Sequence, residues 1–127
     1  MGRNIRTCLK SRREVGRKVE ARARGFLESR GLKLIAQNYV CRSGELDLVM
    51  LDDDVLVIVE VRYRSRDDFV SAQESVDWRK QKRLARATEH FLLGRSSLQE
   101  RPIRFDVVAV AGDDEETMRW IRGAFEA

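Results

Sequence analysis

One histidine, two cysteines and one proline in 127 residues exclude several kinds of chemistry at once. Cys8 and Cys41 lie far apart and form no CxxC pair. With His90 as the lone imidazole, the chain has no zinc-ligand spacing. Two distant cysteines also make no disulfide framework, which suits a reducing compartment and gives a cytoplasmic location as the expectation. A Ser/His/Asp triad would have to use His90, which stands beside Phe91 in a helical stretch, remote in sequence from Ser43 and Ser65. His90 therefore reads as a helix surface or packing residue. Glycine-rich phosphate loops of the GxxxxGK or GxGxxG kind are missing. No apolar run reaches the roughly 18 residues that a membrane-spanning helix needs. The N-terminus is rich in arginine but has no hydrophobic stretch behind it, so it is no secretory signal, and Glu14 and Glu20 weigh against a transit peptide.

What remains is a chain with enough apolar residues for a core, 43%, and an unusual density of charge, 36%. The length suits a single domain. The net charge is +4, and the basic residues crowd the start, where the first 24 residues hold nine Lys or Arg against two Glu. Such a positive field suits an anionic partner, nucleic acid above all; a solvated tail and helix face is the alternative. Residues 1–13 read as a basic, flexible segment and residues 14–127 as the domain.

Periodicity supplies the elements. Val15, Val19, Ala23, Phe26 and Leu27 recur at helical spacing, predicting a helix from Glu14 to Arg30 stopped by Gly31. Glu20 falls at the border of that stripe, either looking into the groove beneath the helix or simply flanking it. Strand-like runs follow at 32–40, 45–51, 55–64 and 103–111. A second helix spans Asp77 to Leu93, with Leu84, Thr88, Phe91 and Leu92 inward. The C-terminal MRWIRGAFEA reads as a short helix turning Trp120, Ile121, Ala124 and Phe125 inward. The order is that of a mixed α/β domain, with an open sheet covered on both faces.

The stretch GELDLVMLDDDVLVIVEVRYRS, residues 44–65, carries acids where a core wants aliphatics. Asp52, Asp53 and Asp54 form a natural turn. A turn centred between Asp53 and Asp54 sets Asp47 opposite Glu60 and Glu45 opposite Arg62, all four on one face. Facing carboxylates repel and are costly to bury uncompensated. A divalent cation held by Asp47 and Glu60, Mg²⁺ by donor type, would offset that cost; a structural salt bridge from Arg62 to Glu60 or Glu45 is the competing account. Asp106, in an apolar run, reads as a structural ion pair with Arg104 or a helix. Arg79, Lys80, Lys82 and Arg83 make the second helix start basic, as a phosphate track or as a solvated face. With Arg17, Lys18 and Arg64, Arg79, Lys80 and Lys82 form the candidate nucleic-acid-binding set. Trp78 reads as a packing residue at the helix start, with base stacking by Trp78 or Tyr39 as the alternative.

This hairpin resembles that of the YraN family, also called UPF0102, whose members show G-E-(I/L)-D-L-(I/V), a short turn and (F/V)-V-E-V-K-x-R-S. GRKVEARARGFLESRGLKLIAQNY, ESVDWRKQKRLARATEHFL and RFDVVAV are similar to its opening helix and strand, second helix and last strand. The likeness runs from about Gly16 to Phe125. It implies a restriction-endonuclease-like fold, with a mixed central sheet flanked by helices and kinship to archaeal Holliday-junction resolvases. Carried over, the catalytic positions are Glu20, Asp47, Glu60 and Arg62, with Asp47 and Glu60 as metal ligands for Mg²⁺ or Mn²⁺. The implied activity is metal-dependent hydrolysis of branched DNA, and the resolvase likeness implies a homodimer. Arg62 departs from the motif, which has lysine. Arginine stays protonated and cannot act as a base, so a weakened or inactive nuclease fold that binds DNA or protein stands as the alternative.

Overall fold

The computed structural model describes residues 2–63, 76–112 and 117–126, with side chains from Gly16 onward. Its elements are α1 (Gly2–Ser29), β1 (Lys33–Cys41), β2 (Gly44–Asp52), β3 (Val55–Tyr63), α2 (Trp78–Leu92), the short α3 (Ser96–Gln99), β4 (Ile103–Val110) and β5 (Met118–Phe125). The strands form one mixed sheet in the order β1-β2-β3-β4-β5, in which only β3 and β4 run parallel. The fold is α/β with helices on both faces of a mixed sheet, as expected and consistent with an endonuclease-like fold.

The two faces have separate cores. Val19, Ala23, Phe26 and Leu27 of α1 pack on Leu48, Met50, Val57, Val59, Val108 and Val110. Leu84, Ala87 and Phe91 of α2 pack on Leu46, Val49, Leu56, Ile58, Phe105 and Val107. Alternate residues of β3 thus serve opposite layers, which explains why its sequence is apolar at both parities. Helix α1 begins at Gly2, ahead of the Glu14 start read from apolar spacing. It ends as the sequence indicated, because Gly31 takes φ +96 and lets the Gly31 and Leu32 N–H groups bond back to Glu28 and Leu27 carbonyls. Helix α2 starts at an Asp77 cap whose side chain accepts from the Lys80 N–H at 3.0 Å.

The hairpin register is the expected one. Asp52 pairs with Val55 and Leu48 with Val59, with Asp53 in the left-handed region at φ +53 to close the turn. The C-terminal segment corrects the sequence reading: residues 118–125 are strand β5, not a helix. The physical reason lies in β4. Asp106 is fully buried, and its carboxylate accepts from Arg104, from the Trp120 indole N–H and from the Gly123 N–H. The last two bonds require an extended segment alongside β4, with a bulge at Gly123, whose φ is +58. The ion pair with Arg104 is as expected, and Arg104 also reaches Asp52 at 3.1 Å.

Candidate functional site

The regular pairing of β2 and β3 runs from Asp52–Val55 up to Leu48–Val59, and the next step is different. The Val61 N–H is bonded by the Asp47 carboxylate, through Oδ2 at 2.9 Å. A side chain thus stands in for the ladder at this point. On the other side of β2, Gln37 pairs with Leu48 and Tyr39 with Leu46, leaving Asn38 across from Asp47. Asn38 has φ +53, a conformation asparagine tolerates better than most residues. Leu46 and Leu48 belong to opposite cores, so β2 rotates about its axis through Asp47. The sheet is irregular on both sides of this one acid.

The regular register ends one step short of Asp47 and Glu60, and the two carboxyls repel each other across that step. Glu60 is only 5% exposed. Its Oε1 lies 3.5 Å from Arg62 Nε and 3.3 Å from Lys80 Nζ. Arg62 thus pairs with Glu60, its neighbour two residues along β3. The Arg62 Nε is buried and, among the described residues, has no hydrogen-bond partner, the Glu60 carboxylate lying 3.5 Å away. Lys80 sits in the first turn of α2, where the Asp77 cap fixes the backbone that carries it. Sequence reasoning left Lys80 on a phosphate track or a solvated helix face; its contact with Glu60 joins residues twenty positions apart, and the order of the chain gives no sign of it.

Glu20 arrives from α1. It is half-buried and hydrogen-bonded by the side chains of Asn38 and Gln37, so the left-handed turn at Asn38 serves this acid too. Burial raises its pKa above the ordinary value, and repulsion from Glu45 and Glu60 adds to the rise. Asp47 is pushed further, to about 7, first by burial and then by the Glu60 charge, against the lowering effect of the Val61 N–H. Glu20 and Glu45 add smaller repulsions. Four acids from three elements therefore feel one another across this end of the sheet, while the cations Arg62 and Lys80 both contact Glu60. A positive charge placed near Asp47 would relieve the repulsion.

The remaining sequence-predicted residues lie apart. Arg17 and Lys18 are exposed on α1. Arg79 and Lys82 are exposed on α2, next to Trp78. Trp78 itself is 60% exposed, which corrects its reading as a packing residue. Val76, two residues earlier, fills the core position instead. Arg64 and Ser65 lie outside the described residues. His90 is exposed and contacts the Tyr39 hydroxyl, as a surface residue would. Among the described residues, no three His, Cys, Asp or Glu side chains form a metal-holding group, and no helix is long and apolar enough to cross a membrane.

The model of the Uncharacterised protein family UPF0102 matches residues 19–110, which takes in Glu20, Asp47, Glu60, Arg62 and Lys80. A UPF0102 protein of Pseudomonas syringae pv. syringae (strain B728a) is 46% identical over 92% of this chain and 97% of its own length. One of Ectopseudomonas mendocina (strain ymp) is 48% identical over 94% of this chain and its own full length. One of Alcanivorax borkumensis (strain ATCC 700651 / DSM 11573 / NCIMB 13689 / SK2) is 40% identical over 92% of this chain and 95% of its own length. With the family model covering most of its length and these relatives matched nearly end to end, the chain belongs to the UPF0102 family.

Proposed function

We propose that this UPF0102 chain binds nucleic acid and acts on the phosphodiester backbone as a metal-dependent endonuclease, with DNA as the substrate and branched DNA as the favoured form. The observation that carries the reading is the Asp47–Glu60 pair at the point where β2 and β3 part, with Arg62 and Lys80 against Glu60. The donor set fits Mg²⁺ or Mn²⁺. Mg²⁺ is commonly held by one or two carboxylates together with waters and substrate phosphate rather than by an all-protein cage. Two acids suffice, and the raised pKa of Asp47 marks a place short of positive charge. When bound, such an ion supplies a more acidic water and stabilises charge on the phosphorus oxygens.

The residues of the chain have distinct parts in this reading. Asp47 and Glu60 hold the metal. Glu20, fixed by Asn38 and Gln37, orients water at the edge of the acid cluster. Arg62 has a buried N–H without a hydrogen-bond partner among the described residues, and such a donor suits a phosphate oxygen. Lys80 is a second cation at the same carboxylate and can turn from Glu60 to the scissile phosphate. A second reading, a binding module without catalysis, is favoured by one observation: Arg62 stands where the resembled motif has a lysine.

The experiment uses labelled four-way junctions, flaps and linear duplex with Mg²⁺ or Mn²⁺ and an EDTA control. Cleavage by the wild type, lost in EDTA and in Glu60→Ala, is the expected result. Binding without cleavage, with activity gained in Arg62→Lys, would support the second reading. Absence of binding and cleavage in every variant would end both.

A further inference from the structure

The outer face of α2 has a composition that the catalytic reading does not use. Trp78 stands 60% exposed at its first turn, although tryptophan is among the most profitable residues to bury. It is not a loose residue. Val76 is buried just before it, and Asp77 caps the helix. The Arg79 guanidinium lies 5.6 Å and the Lys82 ammonium 4.8 Å from the ring centroid. These residues, together with Arg83 and Arg86, line a shallow cleft of about 380 Å³. Its lining is one aromatic ring and four cations, with no carboxylate.

We infer that this cleft is a seat for a single nucleic-acid strand: an unpaired base stacks on Trp78, and Arg79, Lys82, Arg83 and Arg86 hold the phosphates around it. The inference rests on the nucleic-acid reading and adds the kind of strand. Cations alone would suit any polyanion. A broad exposed aromatic face set among them suits a polyanion that also offers flat rings. In a continuous duplex those rings are stacked on one another and out of reach, so the partner is a strand with at least one base free.

The cleft also leads towards the acids. Arg83 lines it and lines a second recess as well, formed by Gly44, Glu45, Lys80, Arg83 and Leu84. A Cβ on Gly44 would meet the Arg83 Cβ at 3.9 Å, so α2 lies close against the start of β2. Lys80, in that second recess, touches Glu60. A strand stacked on Trp78 can therefore pass along Arg83 to Lys80 and reach the Asp47–Glu60 pair. A junction or flap offers both parts of this arrangement: free bases at the branch and a backbone nearby.

Fluorescence tests the seat directly. The chain has two tryptophans, and Trp120 is tied to Asp106 through its indole N–H with Arg122 over its ring. Quenching by an added oligonucleotide that is lost in Trp78→Ala therefore reports Trp78. The full-length protein, in EDTA so that no strand is cut, is titrated with a single-stranded oligothymidylate and with a blunt duplex at low and moderate salt. Quenching by the single strand is expected in the wild type; read by the anisotropy of dye-labelled oligonucleotides, which needs no tryptophan, single-strand affinity should fall about 5- to 100-fold in Trp78→Ala and be largely kept in Trp78→Phe, while duplex affinity stays within about twofold. Salt-dependent duplex binding that is the same in wild type and Trp78→Ala, with no single-strand effect of the substitution, would overturn the seat and leave the nucleic-acid reading standing. No binding of either oligonucleotide by the wild type would overturn both.

Discussion

Replacing Asp47 with asparagine should make the protein more stable, and only above acidic pH. The carboxyl is half-buried and faces Glu60, and its pKa rises from 3.8 to about 7. The unfolded chain would ionise Asp47 near pH 4, whereas the fold resists until near pH 7. Below pH 4 the carboxyl is neutral in both states and the fold incurs no penalty. Between about pH 4 and 7 the penalty grows, and above 7 it is complete. At about 1.4 kcal/mol per pH unit, that rise corresponds to roughly 4 kcal/mol as an upper figure, trimmed by water at the half-buried group. Asparagine keeps an oxygen for the Val61 N–H and removes the charge. In a domain of this size each kcal/mol moves Tm by about 4 °C, so Asp47→Asn should melt up to ~15 °C above wild type at pH 8 and level with it at pH 4. Thermal melts of both proteins across that range, with and without millimolar Mg²⁺, are the assay. Mg²⁺ should narrow the gap by raising the wild type alone, because a cation favours the ionised carboxyl. An Asp47→Asn protein equal to or weaker than wild type at pH 8, or one with the same advantage at pH 4, would refute the reasoning.

Three further outcomes can be checked. Asp106→Ala leaves the Arg104 guanidinium, the Trp120 indole and the Gly123 N–H without their shared buried acceptor, so urea unfolding should show a loss of about 3–5 kcal/mol. Lys80→Ala removes a partly exposed ion pair and should cost under about 1 kcal/mol of stability, while lowering the salt slope of DNA binding by about one. Gly123→Ala places a side chain at φ +58 in the β5 bulge and should cost about 1 kcal/mol or more in the same urea titration.

The hairpin was legible because its signals are local. Three consecutive aspartates mark the turn, and the turn fixes which residues oppose one another, so the meeting of Asp47 and Glu60 follows by counting. Helix α2 was legible for the same reason, since its apolar stripe lies within one window. Strand β5 was not. MRWIRGAF places apolar residues at spacings a helix would also use, and its strand form depends on Asp106, a residue on another strand that takes its Trp120 and Gly123 hydrogens. The Lys80–Glu60 contact is likewise tertiary, made between the first turn of α2 and a side chain of β3. Trp78 misled because large aromatics are usually buried, whereas here Val76 occupies the core position that the pattern offered to it.

The irregularities in the two outer strands have a consequence for crowding. A five-stranded sheet ends in two rows of backbone donors and acceptors, open to pairing with another chain. In this protein β1 shifts register between Leu34 and Ala36, and β5 bulges opposite Phe105–Val107. Lys33 lies exposed on the first of these strands and Arg119 and Arg122 on the second. Neither border is flat or uncharged enough to template a strand from a neighbour. The bend that lets Asp106 hold β5 also discourages the sheet from growing into a fibre, a useful property for a domain whose central strands are so uniformly aliphatic.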